Sequence, residues 1–240
     1  AIVRTRQVGA EGVFLLIDGD SVPMESLGDD IWAIHLDDGT PRDYRFSVKY
    51  PLVDAVEKVD PYFFLPTLGD QDISLIGEGR HERLWEVLGS HVQTYKTELG
   101  EVTGTSFAVW APAAKGVAVV GDFCSWNPSQ YPMRAMGSSG VWEIFIPGLT
   151  EGTVYKYAIH TESGQRLEKA DPMARLAETP PATGSVVTSS SYEWKDDEWI
   201  SARAETFPTT EPMSVYEVHL GSWKQGLSYQ QLADELVDYV

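Results

Sequence analysis

With 240 residues, 42% of them hydrophobic, the chain has enough apolar material for a substantial core, which excludes a disordered polypeptide. A formal charge of −18, from 18 Lys and Arg against 36 Asp and Glu, repels nucleic-acid phosphates and anionic lipid, so neither is expected as a partner. One cysteine, Cys124, excludes an internal disulfide and suits a reducing, cytoplasmic setting; no apolar run approaches the ~20 residues of a membrane span, and Ala1-Ile2-Val3-Arg4 lacks the order of a signal peptide.

Taken in chain order, Val13 to Ile17 reads as a buried strand. Trp32, Ile34 and Leu36, then Tyr44, Phe46, Val48 and Tyr50, alternate on either side of a turn expected at Asp38-Gly39-Thr40-Pro41. This predicts an antiparallel hairpin within a small β-sandwich ending near Tyr50. The prolines of Asp60 to Pro66 exclude a regular helix or central strand and mark a connector packed by its aromatics. Leu84, Trp85 and Leu88 share a helical face, which predicts a short helix over Arg80 to Leu88 closed by Gly89.

From Thr105 to about Ser190, short alternating strands return: Phe107 with Val109, Trp142 with Ile144 and Ile146, and Tyr155 with Tyr157 and Ile159. Ser138-Ser139-Gly140 and Ser163-Gly164 supply turns, and the even spacing points to an immunoglobulin-like sandwich. A polar link with Trp194 and Trp199 follows. Ser214 to Leu220 then reads as a strand and Ser228 to Val240 as a helix, with Ser228 and Gln231 as a capping box and Tyr229, Leu232, Leu236 and Val240 as its apolar stripe.

A sugar is held by a flat aromatic ring against its C–H face and by directional donors to its hydroxyls. Trp126 stands among the turn formers Asp122, Ser125, Asn127 and Pro128, either as such a platform or as a cap on the sandwich core. Lys156 alternates with Tyr155 and Tyr157, so it faces away from them, as a donor to sugar hydroxyls or as an ordinary surface lysine. The five histidines lie far apart and no metal site is expected. Cys124 has no basic neighbour and reads as a packed thiol. The pairs Asp29-Asp30, Asp37-Asp38 and Asp196-Asp197 lie in turns or polar links and read as solvated charge.

Four segments together resemble the actinobacterial glycogen branching enzymes of the α-amylase superfamily: Phe64 to Gly69, Gly77 to Gly89, Phe107 to Pro112 with Gly121-Asp122-Phe123, and Tyr216 to Trp223. The resemblance spans nearly the whole chain. It implies an all-β fold of two tandem immunoglobulin-like β-sandwich domains followed by the first strand and helix of a truncated (β/α)8 barrel. The expected boundaries are residues 1–90 with a linker helix, 91–201 as a family-48 carbohydrate-binding module, and 202–240 as the incomplete barrel.

The implied partner is α-1,4-glucan, glycogen or a malto-oligosaccharide, with no cofactor. The parent reaction cleaves an α-1,4-glucan and transfers the chain to a 6-hydroxyl, forming an α-1,6 branch in glycogen synthesis. The catalytic carboxylates of that family lie on later barrel strands, so no catalytic residue is placed here and the chain alone is expected to be inactive. Trp126 and Lys156 match the tryptophan and lysine of the related glycogen-binding module of the AMP-activated kinase β subunit. The second tryptophan of that module falls near Gln165-Arg166, and Cys124 stands where the family has asparagine. Trp223, at the end of the expected barrel strand, is a third binding candidate. The exposed barrel start is expected to dock or self-associate. The alternatives are a debranching or trehalose-forming relative, or a purely structural spacer.

Overall fold

The computed structural model describes residues 1–37, 43–98 and 100–240, so the turn expected at 38–41 lies outside the described residues. Two compact units, Ala1–Ser190 and Ser191–Val240, make up the chain.

Among the described residues the first unit opens with seven strands: β1 (Ile2–Arg6), β2 (Gly12–Ile17), β3 (Asp20–Pro23), β4 (Glu25–Gly28), β5 (Ile31–His35), β6 (Tyr44–Lys49) and β7 (Val56–Lys58). They pair as two antiparallel sheets, ordered β1-β5-β4 and β3-β2-β6-β7. Alternation sets the register: Val13, Leu15 and Ile17 meet Phe46 and Val48 on one face, all buried, while Val3, Trp32 and Ile34 of the other sheet pack against them. Asp18 and Gly19, both at positive φ, make the two-residue turn from β2 to β3.

The connector then runs as a chain of rings. Tyr44 touches Phe63 at 5.5 Å, Phe63 touches Phe64 at 5.3 Å, and Phe64 reaches Phe145 at 4.6 Å, linking the first core to the next sheets. Asp60 fixes its start, accepting from the Tyr44 hydroxyl at 2.6 Å and from the Tyr62 backbone at 2.9 Å. The helical reading of Arg80 to Leu88 is corrected. The longer helix is α1 (Asp70–Gly77), whose first turn Asp72 caps by accepting from Gly69 N at 3.2 Å, and only one turn, α2 (Leu84–Val87), forms beyond it. Leu84 and Leu88 turn inward, whereas Trp85 is left exposed, because one turn is too short to bury three residues of a stripe.

Nine strands complete the unit: β8 (Gly89–Thr97), β9 (Gly100–Trp110), β10 (Ala114–Val120), β11 (Arg134–Ala135), β12 (Val141–Pro147), β13 (Val154–Thr161), β14 (Arg166–Lys169), β15 (Leu176–Ala177) and β16 (Ser185–Val186). One sheet is ordered β11-β12-β9-β8, the other β10-β13-β16-β15 with β14 also on β13. They enclose Phe107, Val119, Ile144, Ile146, Tyr155 and Tyr157, each at most 1% exposed. Burial of each such side chain contributes roughly 1.5–3 kcal/mol, so this core is the strongest part of the unit. The two tyrosine hydroxyls are satisfied by Asp171, whose Oδ2 accepts from Tyr155 at 2.6 Å and from Tyr157 at 3.2 Å.

The second unit holds α3 (Asp197–Glu205), α4 (Leu220–Trp223) and α5 (Tyr229–Tyr239). The capping box of α5 is present, with Ser228 N donating to Gln231 Oε1 at 2.9 Å and Gln231 N to Ser228 Oγ at 3.3 Å. Of its stripe only Leu232 is buried, and Tyr229 and Val240 are exposed. No helix among the described residues is long and apolar enough to cross a membrane.

The fold-class expectation is overturned. The chain is mostly β in small antiparallel sheets, with helices at 70–77, 84–87, 197–205, 220–223 and 229–239, and it does not form two tandem immunoglobulin-like domains followed by a barrel start. Even spacing locates strands but does not say which of them pair, and the pairing yields sheets of three to five strands. Ser214 to His219 is not a strand, and Leu220–Trp223 coils into a helical turn. A strand is stable only when a neighbour takes up its backbone donors and acceptors, and among the described residues this segment has none.

Burial raises the pKa of three carboxyls in the first unit, Asp60, Glu143 and Asp171. Their folded forms hold protons more tightly than the unfolded chain does. They therefore add stability as pH falls from neutrality through the raised values, and lose it as pH rises. Relief of repulsion from a net charge of −18 acts in the same direction. Thermal unfolding of this unit is expected at a higher midpoint near pH ~5.5 than near pH ~8, and the trend should persist in ~1 M salt, where charge repulsion is screened. A midpoint that falls on this mild acidification refutes it.

Candidate functional site

The site is built where β10 ends and the chain turns before β11. Gly121 is fully extended, and the next residues wind into a single 3₁₀ turn, Asp122–Cys124. Ser125 and Trp126 both sit in the left-handed region, at φ 50° and 57°, a conformation that non-glycine residues adopt only when held. Three bonds hold it: Ser125 N donates to Asp122 O at 3.0 Å, Trp126 N to Gly121 O at 2.9 Å, and Asn127 N to Cys124 O at 3.0 Å. Cys124 is buried beneath, its thiol 3.3 Å from Gly121 O, as expected of a packed thiol.

This turn throws Trp126 over the outer face of β10 and β13, where it packs, half-buried, against the cluster of Ala118, Val120, Cys124 and Ala158. The indole Nε1 donates to Asp122 Oδ1 at 2.8 Å, which pins the ring edge and occupies its only donor.

Alternation along β13 puts Tyr155 and Tyr157 in the core and Lys156 on the opposite face. There the Lys156 ammonium lies 5.9 Å from the centroid of the Trp126 ring and donates to Thr183 Oγ1 at 2.8 Å. The structure thus brings together two candidates that are 30 residues apart in sequence. Trp223 belongs to the second unit, where its ring is 5.7 Å from that of Tyr239 and the Lys224 ammonium is 5.2 Å away.

Three further residues escaped the sequence. Asp122 was visible only as a turn former. Thr183 lies 27 residues from Lys156 and carries no local signal. Arg166, where a second aromatic ring is missing, braces the loop: its guanidinium donates to Trp126 O at 3.3 Å and to Glu168 Oε1 at 2.8 Å. The arrangement offers an aromatic ring, a cation 5.9 Å over it and a hydroxyl beside the cation. It has no nucleophile paired with a base, so it suits binding a neutral polyhydroxyl ligand.

Residues 87–174 match the family described as Carbohydrate-binding module 48 (Isoamylase N-terminal domain), which contains Trp126, Lys156 and Arg166. Over its whole length the chain is 59% identical to the "1,4-alpha-glucan branching enzyme GlgB" of Corynebacterium glutamicum and 51% identical to that of Nocardia farcinica. It spans 33% and 32% of those relatives, which is their N-terminal third. A pullulanase structure from Paenibacillus barengoltzii aligns with 48% of this chain and 18% of its own, at 21% identity and a TM-score of 0.34.

Proposed function

We propose, from homology of the whole chain to the N-terminal third of actinobacterial 1,4-alpha-glucan branching enzymes and from its carbohydrate-binding module 48, that this polypeptide is the glucan-holding part of such an enzyme. The parent cleaves an α-1,4-glucan and transfers the chain to a 6-hydroxyl, making α-1,6 branches in glycogen, in the cytoplasm. The present residues hold and orient the glucan for that reaction. Carbohydrate binding is assigned to residues 91–201, and residues 1–90 form a separate N-terminal part.

The observation that carries this reading is the Trp126 ring with the Lys156 ammonium 5.9 Å over it. A glucose ring lies with its C–H face on the indole, away from the donor already committed to Asp122. The Lys156 ammonium, held by Thr183 with donors to spare, bonds the sugar hydroxyls. Trp223 is assigned a contact with the same polymer at a different point.

Affinity electrophoresis through gels with and without glycogen tests the platform. The chain is expected to be retarded. Trp126→Ala is expected to lose at least about tenfold in affinity, the equivalent of ~1.4 kcal/mol. Lys156→Ala should lose less, because a solvated ammonium bonds hydroxyls in competition with water. Equal migration of wild type and Trp126→Ala, with and without glycogen, removes the assignment.

A further inference from the structure

A groove of about 700 Å³ runs between the N-terminal sheets and the loop that carries Trp126, all within the first unit. On the module side it is lined by Asn127, Ser129, Gln130 and Tyr131, of the same loop that carries Trp126. On the other side stand Gln7, Tyr50, Lys58 and Tyr62. Its volume falls within the roughly 300–1,000 Å³ of small-ligand clefts.

Tyr62 has the properties of a second platform. Its side of the connector is held by Tyr62 N donating to Asp60 at 2.9 Å, and its hydroxyl is held by Pro132 O at 2.6 Å, yet 45% of the residue remains exposed. A ring tethered at both ends loses little freedom when a ligand settles on it. Along the same wall Lys58 donates to Gln7 Oε1 at 3.0 Å and to the Tyr50 hydroxyl at 2.7 Å, and Gln7 donates to Thr5 at 2.8 Å. This gives a row of mixed donors and acceptors. The charges around the groove are mixed too: Arg45 faces Glu57 at 3.7 Å, and Asp60 and Glu101 line the same space as Arg4 and Arg6. Such a surface does not select an anion, and it matches a neutral chain of hydroxyls with apolar ring faces.

We propose that this groove is a second binding site for linear α-1,4-glucan, sharing a loop with the Trp126 platform, so that the first unit grips long chains in preference to short ones. The proposal rests on the platform reading and extends it by naming the chain length selected. A short oligosaccharide fills the platform alone, while a longer one lies on the platform and in the groove, gaining from both contacts on one molecule.

Calorimetric titration of the 240-residue chain with maltotriose and with maltodecaose tests it. The wild type is expected to bind maltodecaose at least about tenfold more tightly. Tyr62→Ala and Lys58→Ala are expected to abolish that preference and leave maltotriose affinity unchanged. Lys58 is near the surface, so its variant keeps the test open should Tyr62→Ala fold poorly. Trp126→Ala should weaken both ligands. If both groove variants keep the full preference, the groove proposal falls while the platform stands. If Trp126→Ala leaves maltotriose binding intact, the platform assignment falls, and loss of the preference in the groove variants still supports the groove. Displacement of maltodecaose by inorganic phosphate at millimolar concentration, or no binding of either oligosaccharide by the wild type, overturns the groove.

Discussion

Asp171→Ala is expected to lower the stability of the first unit by about 3–5 kcal/mol, the largest effect of any single change proposed for this chain. Asp171 is 5% exposed and is the hub of the core's polar contacts. Its Oδ2 accepts from Tyr155 and Tyr157, its Oδ1 accepts from Met173 N at 2.8 Å, and its own N–H donates to Ser185 Oγ at 2.8 Å. Removing the carboxylate takes the short acceptor from two buried phenol hydroxyls, leaving Tyr157 only a 3.4 Å contact with Ala108 O, and each under-satisfied donor costs about 1–3 kcal/mol. Urea unfolding measures the loss. The triple variant with Tyr155→Phe and Tyr157→Phe should recover a good part of it, because removing donors and acceptor together is far less costly than orphaning one side. If the triple variant is less stable than Asp171→Ala by the sum of the parts, the polar-hub explanation is wrong.

Gly121→Ala is expected to disable the Trp126 turn. A methyl group there would lie 2.4 Å from Val154 O and 2.5 Å from Phe123 Cε1. The first is backbone of β13 and the second a ring packed against Tyr131 at 5.7 Å, so neither can move without carrying the site with it. The backbone at Gly121 is extended, a conformation open to any residue, so close approach alone excludes a side chain. Overpacking of this kind costs roughly 1–3 kcal/mol. The same shift displaces the carbonyl that accepts from Trp126 N, and glycogen retardation should fall along with stability. Gly116→Ala is the control, because a methyl group there meets nothing within 4 Å and both readouts should stay unchanged. Full retardation and an unaltered unfolding midpoint in Gly121→Ala refute the argument.

Much of the strand content was legible because alternation is a local signal. Val13, Leu15 and Ile17, or Tyr155 with Tyr157, announce an inward face from their spacing alone, and the capping box of α5 is a four-residue pattern. The overturned readings were all non-local. Ser214 to Leu220 has the composition of a strand, but pairing needs a neighbour that spacing cannot supply. Trp85 shares a helical face with Leu84 and Leu88 in sequence, yet the helix there is one turn long and its chain turns into β8 at Gly89, φ 96°.

The sequence by itself determined which residues were available to the proposed sugar site: an aromatic in a turn-rich loop at Trp126, a lysine on the outward face of β13, and a surplus of negative charge that turns away phosphates. Tertiary structure alone decided that the two lie 5.9 Å apart and that Arg166 takes up the loop carbonyl. It also decided that the loop from Asn127 to Tyr131 helps to line a groove together with Gln7, Tyr50, Lys58 and Tyr62. The physical reason is that side-chain direction follows from two or three neighbouring backbone angles, whereas proximity across sheets follows from which strands pair. That pairing is set by the sum of burial over the whole core.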